Sequence, residues 1–236
     1  MFLSSPAIVL SKVRHTDSTQ ILTLYTQAEG SIPFAVRGTK SKPQAANLQP
    51  LTPLTIEWDH HPSRTMQHLK SVSLLSPLTS LTSHPHKAAV ASLLGEALHH
   101  ALRQERHGDI FPFLLSSLQW LDAASEPFDN FHLIFLMHLA GHLGIEPNLE
   151  DAARSPFFDM INAECTPVQP QHNYYLPHSD LRLAPLMLSL SYANMHRISF
   201  TPSERHRALR AILAYYRIHI PGFPQLRSPE MLKDML

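Results

Sequence analysis

The spacing of apolar and polar positions changes character once along this 236-residue chain. Up to about residue 76 the apolar residues come in short runs bounded by turn residues, which predicts strands. Pro6 to Leu10 is one such run, leading into polar Ser11-Lys12-Val13-Arg14. Thr19 to Thr26 is rich in β-branched and aromatic residues, Ala28-Glu29-Gly30-Ser31 is a turn, and Ile32 to Val36 follows. This pair predicts a hairpin. Leu54 to Trp58 and Met66 to Leu75 predict two more strands, with Asp59-His60-His61-Pro62-Ser63 turning the chain between them. Five short strands in so short a stretch fit a closed or nearly closed barrel better than an open sheet with two bare edges. Pro50 and Pro53 fall near strand starts or edges, where a missing N–H is tolerated.

After Ser83-His84-Pro85 the period becomes helical. Val90, Leu93, Leu94, Ala97, Leu98 and Ala101 share one face, and Gly108-Asp109 ends that helix. Ile110 to Ala124 predicts a second helix, with Phe113, Leu114, Leu118 and Leu121 inward. Phe128 to Leu143 predicts a third, with Pro127 at its start and Gly144 at its end. Residues 145–178 hold five prolines and read as irregular. A helix is expected at Leu181 to Ser191. Thr201-Pro202-Ser203-Glu204 predicts a strong helix start, since Thr caps, Pro takes the first helical position and Glu reaches back. Ser228-Pro229-Glu230 opens a last short helix. The expected division is a β domain over residues 1–80 and a helical domain over 81–236, with an irregular insert near 145–178.

Composition narrows the class. A hydrophobic share of 44% supports a buried core, and 20 Pro against 7 Gly favours well-punctuated elements over flexible linkers. The one cysteine, Cys165, excludes an internal disulfide and a four-Cys zinc site and fits a reducing compartment. The start lacks a basic segment followed by an apolar core, and no apolar run approaches a membrane span. A soluble, cytoplasmic chain with no membrane partner is expected.

Charge adds a pattern that the net value of zero hides. Residues 1–80 carry seven Lys and Arg against four Asp and Glu, residues 81–163 four against ten, and residues 164–236 eight against five. Two basic segments flank an acidic middle, as in a chain that binds nucleic acid over part of its surface or in one whose charge is merely uneven. Arg37, Lys40 and Lys42 stand within six residues, and no acidic residue follows before Glu57. A basic loop on a small barrel is a common clamp for a phosphodiester backbone. Arg14, Arg64 and Lys70 extend the same candidate surface. Tyr25, Phe34 and Trp58 are candidate stacking rings, or barrel core if alternation turns them inward.

Arg197, Arg205, Arg207, Arg210 and Arg217 crowd into 21 residues. On the helix after Thr201, Arg207, Arg210 and Arg217 lie close to one face and Arg205 stands apart. Such a face is either solvated or a dock for acidic tails or phosphate. Tyr215, Tyr216 and Phe223 read as packing residues. Among the 17 His, His138 and His142 sit four apart on a helix, and His84, His86, His99 and His100 are further candidates, but no carboxylate completes a ligand set. No dinucleotide or Walker phosphate loop, nucleophile elbow or H-E-x-x-H occurs, so no catalytic residue, metal or cofactor is expected.

Ala7-Ile8-Val9-Leu10, Val36-Arg37-Gly38-Thr39-Lys40 and Leu48-Gln49-Pro50-Leu51-Thr52-Pro53-Leu54, in this order, resemble RecO, a family of bacterial recombination mediators. Ala214-Tyr215-Tyr216-Arg217-Ile218-His219-Ile220-Pro221-Gly222-Phe223 is similar to that family's final helix and tail. The resemblance spans nearly the whole chain, and the order and spacing of the motifs carry it. It implies an α+β chain: an N-terminal five-stranded OB-fold barrel followed by an all-helical C-terminal domain. It implies a non-enzymatic role in DNA repair and recombination, with binding of single- and double-stranded DNA, annealing of complementary strands and, with RecR, loading of RecA onto DNA coated by single-strand-binding protein (SSB). Arg37, Lys40 and Lys42, with Arg14 as a weaker match, would then contact DNA. The helical domain, with Arg207, Arg210, Arg217 and Tyr215 as candidates, would receive the C-terminal tail of SSB. Many members carry a four-Cys zinc module between the third helix and the last ones. Residues 145–178 offer only Cys165, so Phe157-Phe158 and Tyr174-Tyr175 packing is expected there, with His172 and His178 the only candidates for a relic site. The alternative is a protein-interaction adaptor whose basic faces bind an acidic partner tail.

Overall fold

The computed structural model describes residues 1–16, 19–37, 48–125 and 127–232. The chain divides into two compact units, Met1–Ala123 and Ala124–Leu236. None of the described helices is long and apolar enough to cross a membrane.

The first unit opens with five strands: β1 (Phe2–Arg14), β2 (Thr19–Thr26), β3 (Gly30–Arg37), β4 (Pro53–Asp59) and β5 (Gln67–Leu74). They close into a barrel in the order β1-β2-β3-β5-β4. Closure depends on β1 serving two partners. Its first half, Phe2 to Ile8, pairs antiparallel with β4, and its second half, Ala7 to Arg14, pairs with β2. A register shift between Val9 and Ser11 bends the strand from one partner to the other, as a bulge does. β3 and β5 close the ring as a parallel pair, with Phe34 opposite Gln67 and Ala35 opposite His68.

The barrel interior is filled by Ala7, Val9, Leu22, Leu24, Ile32, Phe34, Leu48, Leu54, Ile56 and Trp58. Phe34 and Trp58 meet edge to face at 5.7 Å. Ile8 and Leu10, on the opposite face of β1, are equally buried. A helix packs on that face, so the run Ala7 to Leu10 is apolar without alternation because both of its faces are covered. This helix is α2 (Pro85–Ala101), preceded by the short α1 (Thr79–Ser83) and followed by α3 (Phe111–Ala123). Lys87, buried on α2, donates to the Ser80 hydroxyl and to the Asp122 carbonyl, which ties α1, α2 and the end of α3 together. The loop after α2 returns to the β2–β3 turn. Ser31 N–H donates to the Glu105 carbonyl at 2.8 Å, and the Tyr25 hydroxyl donates to the His107 carbonyl at 2.7 Å.

The second unit is built on α4 (Phe131–His142), where every residue from Phe131 to Met137 is buried. A helix apolar on all sides belongs at the centre of a core. Around it stand a small sheet of β6 (Phe157–Asp159), β7 (Glu164–Thr166) and β8 (Tyr175–Pro177), then α5 (His178–Leu181), α6 (Ala184–Ser189), a 3-10 turn at Tyr192–Arg197, α7 (Pro202–His219) and α8 (Pro229–Leu232). The expected capping box at Thr201 is present. Thr201 Oγ1 accepts from Glu204 N–H at 3.3 Å, and Glu204 Oε2 accepts from Thr201 N–H at 2.9 Å. The Tyr216 hydroxyl donates to the Leu136 carbonyl at 2.7 Å and so clips α7 to α4.

Four expectations need correction. Residues 145–178 are not irregular throughout. They hold the sheet β7-β6-β8, whose three-residue strands are too short for their period to show in sequence. Phe157 meets Tyr175 edge to face at 5.6 Å and Phe158 is buried, whereas Tyr174 is exposed. The third long helix begins at Phe131 rather than at Phe128, because residues 128–131 first form a turn closed by Phe131 N–H on the Phe128 carbonyl. The expected helix over 181–191 is two short ones, α5 and α6, since Pro185 lacks an N–H and starts a new helix instead of continuing one. α1 precedes the point where helical spacing becomes readable.

Candidate nucleic-acid interface

The register of the barrel gathers basic positions that lie far apart in sequence. Val13 pairs with Ile21, Ile21 with Ala35, and Ala35 with His68, which makes one row across β1, β2, β3 and β5. Arg14, Arg37 and Lys70 each lie one or two residues beyond this row in their own strands. These three strands run in the same direction there, so all three positions fall on the same side of the row. Arg14 is exposed at the end of β1. Arg37 ends β3, paired in register with Thr19. Lys40 and Lys42 lie outside the described residues.

Arg64 is exposed on the turn between β4 and β5. Buried Gln67 holds that turn: its amide donates to the carbonyls of His61 and Arg64, and its oxygen accepts from His61 N–H. Lys70 is engaged. Its ammonium lies 2.7 Å from the Asp59 carboxylate and 5.2 Å from the centre of the Phe2 ring. The hydrogen bond from Lys70 holds the Asp59 carboxyl below the usual range. A carboxylate therefore sits within the basic rim, which sequence spacing did not reveal.

The three aromatic residues expected as stacking candidates are not on the surface. Tyr25, Phe34 and Trp58 are each fully buried. Parity turns Phe34 and Trp58 into the barrel, whereas Tyr25, of opposite parity to Leu22 and Leu24, lies on the outer face of β2, with its hydroxyl on the His107 carbonyl. Burial pushes the Tyr25 hydroxyl up to about 12. The exposed ring of the barrel is Phe2, which sequence reasoning passed over. Leu3, Ala7 and Val9 pack into the barrel, so Phe2 has the opposite parity, but Ile8 and Leu10 share that parity and are buried, so only the fold shows that Phe2 is uncovered.

In the second unit the arginines separate as the helical spacing suggested. Arg207, Arg210 and Arg217 are exposed. Arg205 is buried, donating from Nε to Asn130 Oδ1 at 3.2 Å and toward the Phe200 carbonyl. Asn130 in turn donates to the Ile198 carbonyl at 2.7 Å. Arg205 is thus an internal strut between α7 and the start of α4.

Beside α7 runs an apolar groove. α4 contributes Met137 and Ala140, the small sheet Phe158 and Leu176, α6 Met187, and α7 Ala208, Ala211 and Tyr215. Its charged lining is Arg182, Arg207, Asp180 and Glu204. Arg182 lies 3.8 Å from Glu204, and Arg207 3.9 Å from Asp180. Tyr215 is buried, its hydroxyl donating to the Ile145 carbonyl at 2.9 Å, so it presents ring rather than hydroxyl to the groove. Arg210 and Arg217 are not among the lining residues, and Arg182 was not anticipated.

Three of the candidate histidines are in structural use. His138 Nε2 bonds the Leu188 carbonyl, His178 Nδ1 the Ser155 carbonyl, and His172 lies 3.3 Å from Asp159. Among the described residues no three His, Cys, Asp or Glu side chains are grouped to hold a metal ion.

Comparison with known proteins places the whole chain. A family model described as Recombination protein O N terminal matches residues 1–78, and one described as Recombination protein O C terminal matches residues 83–229. A protein of Bacteroides fragilis named DNA repair protein RecO is 37% identical, over 100% of this chain and 99% of the relative. Its namesakes in Phocaeicola vulgatus and Porphyromonas gingivalis are 35% and 28% identical over the same shares. With a five-stranded closed barrel, a helical C-terminal region and family models covering both, the chain belongs to the RecO family.

Proposed function

We propose that this chain is a non-enzymatic recombination mediator of DNA repair that acts in the cytoplasm. It binds single- and double-stranded DNA through the barrel, anneals complementary strands and, with RecR, helps load RecA onto SSB-coated DNA. The observation that supports this reading is the convergence of Arg14, Arg37 and Lys70 on one side of a single row of the barrel, joined to membership of a family whose relatives are named for DNA repair. Arg64 on the β4–β5 turn, and Lys40 and Lys42 after Arg37, complete the proposed contact set. Cations spaced along a small barrel suit a phosphodiester chain because each neutralised phosphate releases counterions. Single-strand affinity should fall with salt at a log–log slope of roughly −2 to −4, for about three to six contacts at ~0.7 each. Absence of binding at low salt defeats the proposal. Unchanged affinity after joint replacement of Arg37, Lys40 and Lys42 by Ala defeats the site.

The groove beside α7 supports a second, protein-binding role. Its apolar wall with Arg182 and Arg207 at the polar edge suits an acidic, apolar peptide such as the C-terminal tail of SSB, with Arg210 and Arg217 attracting it from the exposed side of α7. Tyr215 forms part of the apolar wall. Titration of a tail peptide against Arg207→Ala is the direct test. If affinity for the peptide is unchanged, the groove is not its site.

A further inference from the structure

Within residues 1–80, four positions carry a Phe, Tyr or Trp ring, and three of these rings fill the core. Phe2 is 54% exposed. An exposed apolar side chain is ordinary by itself. What sets Phe2 apart is its surroundings. The β1–β4 ladder fixes it opposite Asp59, and Lys70 reaches across from β5 to place its ammonium 5.2 Å from the ring centre. Lys70 and Asp59 are themselves 53% and 46% exposed, so the whole group is open to solvent. Lys70 also belongs to the basic rim that includes Arg14 and Arg37.

We propose that Phe2, Lys70 and Asp59 form a base-stacking subsite for single-stranded nucleic acid, in which Asp59 holds Lys70 until a phosphate replaces it. Single-strand binding by small barrels combines a cationic track with aromatic faces, because every base offers a π-surface to stack. This barrel buries its other three rings, so stacking by it falls to Phe2. The ring takes the base and the neighbouring ammonium takes the phosphate. Asp59 competes for that ammonium, and the Lys70 hydrogen bond holds its carboxyl below the usual range. The competition lowers affinity for DNA and gives Lys70 a fixed position before DNA arrives.

The inference rests on the reading of the barrel as a DNA-binding surface, and the test separates the two. The full chain is titrated into a labelled oligothymidylate of roughly 16 nucleotides at several salt concentrations. If the unaltered chain does not bind, the functional reading fails and the subsite with it. If it binds, Phe2→Leu decides the subsite, since Leu keeps an apolar side chain on the strand and removes the π-face. Phe2→Leu and Phe2→Ala should each bind roughly five- to a hundred-fold more weakly with an unchanged salt slope. Phe2→Trp should retain affinity and show quenching of the added fluorescence on binding. Asp59→Asn should bind roughly two- to five-fold more tightly, as the competitor for Lys70 loses its charge. Wild-type affinity in Phe2→Leu overturns the stacking assignment, including the case in which that variant instead loses a protein partner. Weaker binding by Asp59→Asn overturns the competitive role of the carboxylate.

Discussion

Gly108 has no room for a side chain. A Cβ built there would stand 1.9 Å from the Gln27 carbonyl oxygen, which is backbone and cannot turn aside. Gly30 meets the same loop from the other side at φ +65, with Cβ space closed by the Glu105 carbonyl. Gly108→Ala should therefore push the loop after α2 off the barrel and cost about 1–3 kcal/mol, read as a lower denaturant midpoint. In the second unit, Asn130→Ala removes an acceptor from the buried Arg205 guanidinium, and a loss of about 1.5–3 kcal/mol is expected by the same measurement. His132 carries a pH dependence. It is fully buried beside Arg205, and burial first, then that positive charge, push its pKa down to about 3. The folded state keeps His132 neutral, while the unfolded chain takes up a proton near pH 6.5. Its contribution is present above pH 6.5 and is lost as pH falls toward about 3, by roughly 1.4 kcal/mol per pH unit. Urea midpoints at pH 7 and pH 5 should differ less in His132→Phe than in the unaltered chain. An equal difference would show that other groups carry the pH dependence.

Among the elements, α7 carries two tasks on opposite sides. One side clips to α4 through Tyr216 and holds Arg205 inside, and the other exposes Arg207, Arg210 and Arg217. The capping box fixes where this helix starts and so which residues face the groove. Thr201→Ala should cost about 1 kcal/mol of stability, and Thr201→Ser should restore most of it. β1 shows the same economy. Its bulge lets one strand serve β2 and β4, and its two buried faces answer to the barrel interior and to α2. Helical spacing made α7 legible from sequence because a cap, a proline and a 3.6-residue period all agree over 18 residues. β6, β7 and β8 were illegible because three residues carry no readable period, and their pairing is set by contacts that only the fold supplies.

For the molecule as a whole, net charge is zero, so any strong salt dependence must come from local surfaces rather than from a global field. The two proposed surfaces lie in different compact units, the basic rim within Met1–Ala123 and the groove within Ala124–Leu236. Their variants should separate. Lys70→Ala should weaken oligothymidylate binding and reduce its salt slope by about 0.7 while leaving affinity for an acidic tail peptide unchanged, and Arg207→Ala should do the reverse. Loss of both functions in either variant would show that the surfaces are not independent.

The sequence by itself determined the barrel strands and the longer helices: five short strands, long helices at Pro85 and Thr201, and an arginine set in which Arg205 stands apart. Each of these is a local matter of period, cap and turn chemistry. Only the tertiary structure decided what those residues meet. Parity states that Phe2 and Trp58 point to particular faces of their strands, but not which face is covered, and so it could not say which ring reaches water. Nor does spacing bring Lys70 to Asp59 and Phe2, or Arg182 to the groove, because register and packing join residues that are distant in sequence. The candidate cations were readable as a list, whereas their gathering on one side of a barrel row, with a carboxylate among them, is a property of the closed sheet.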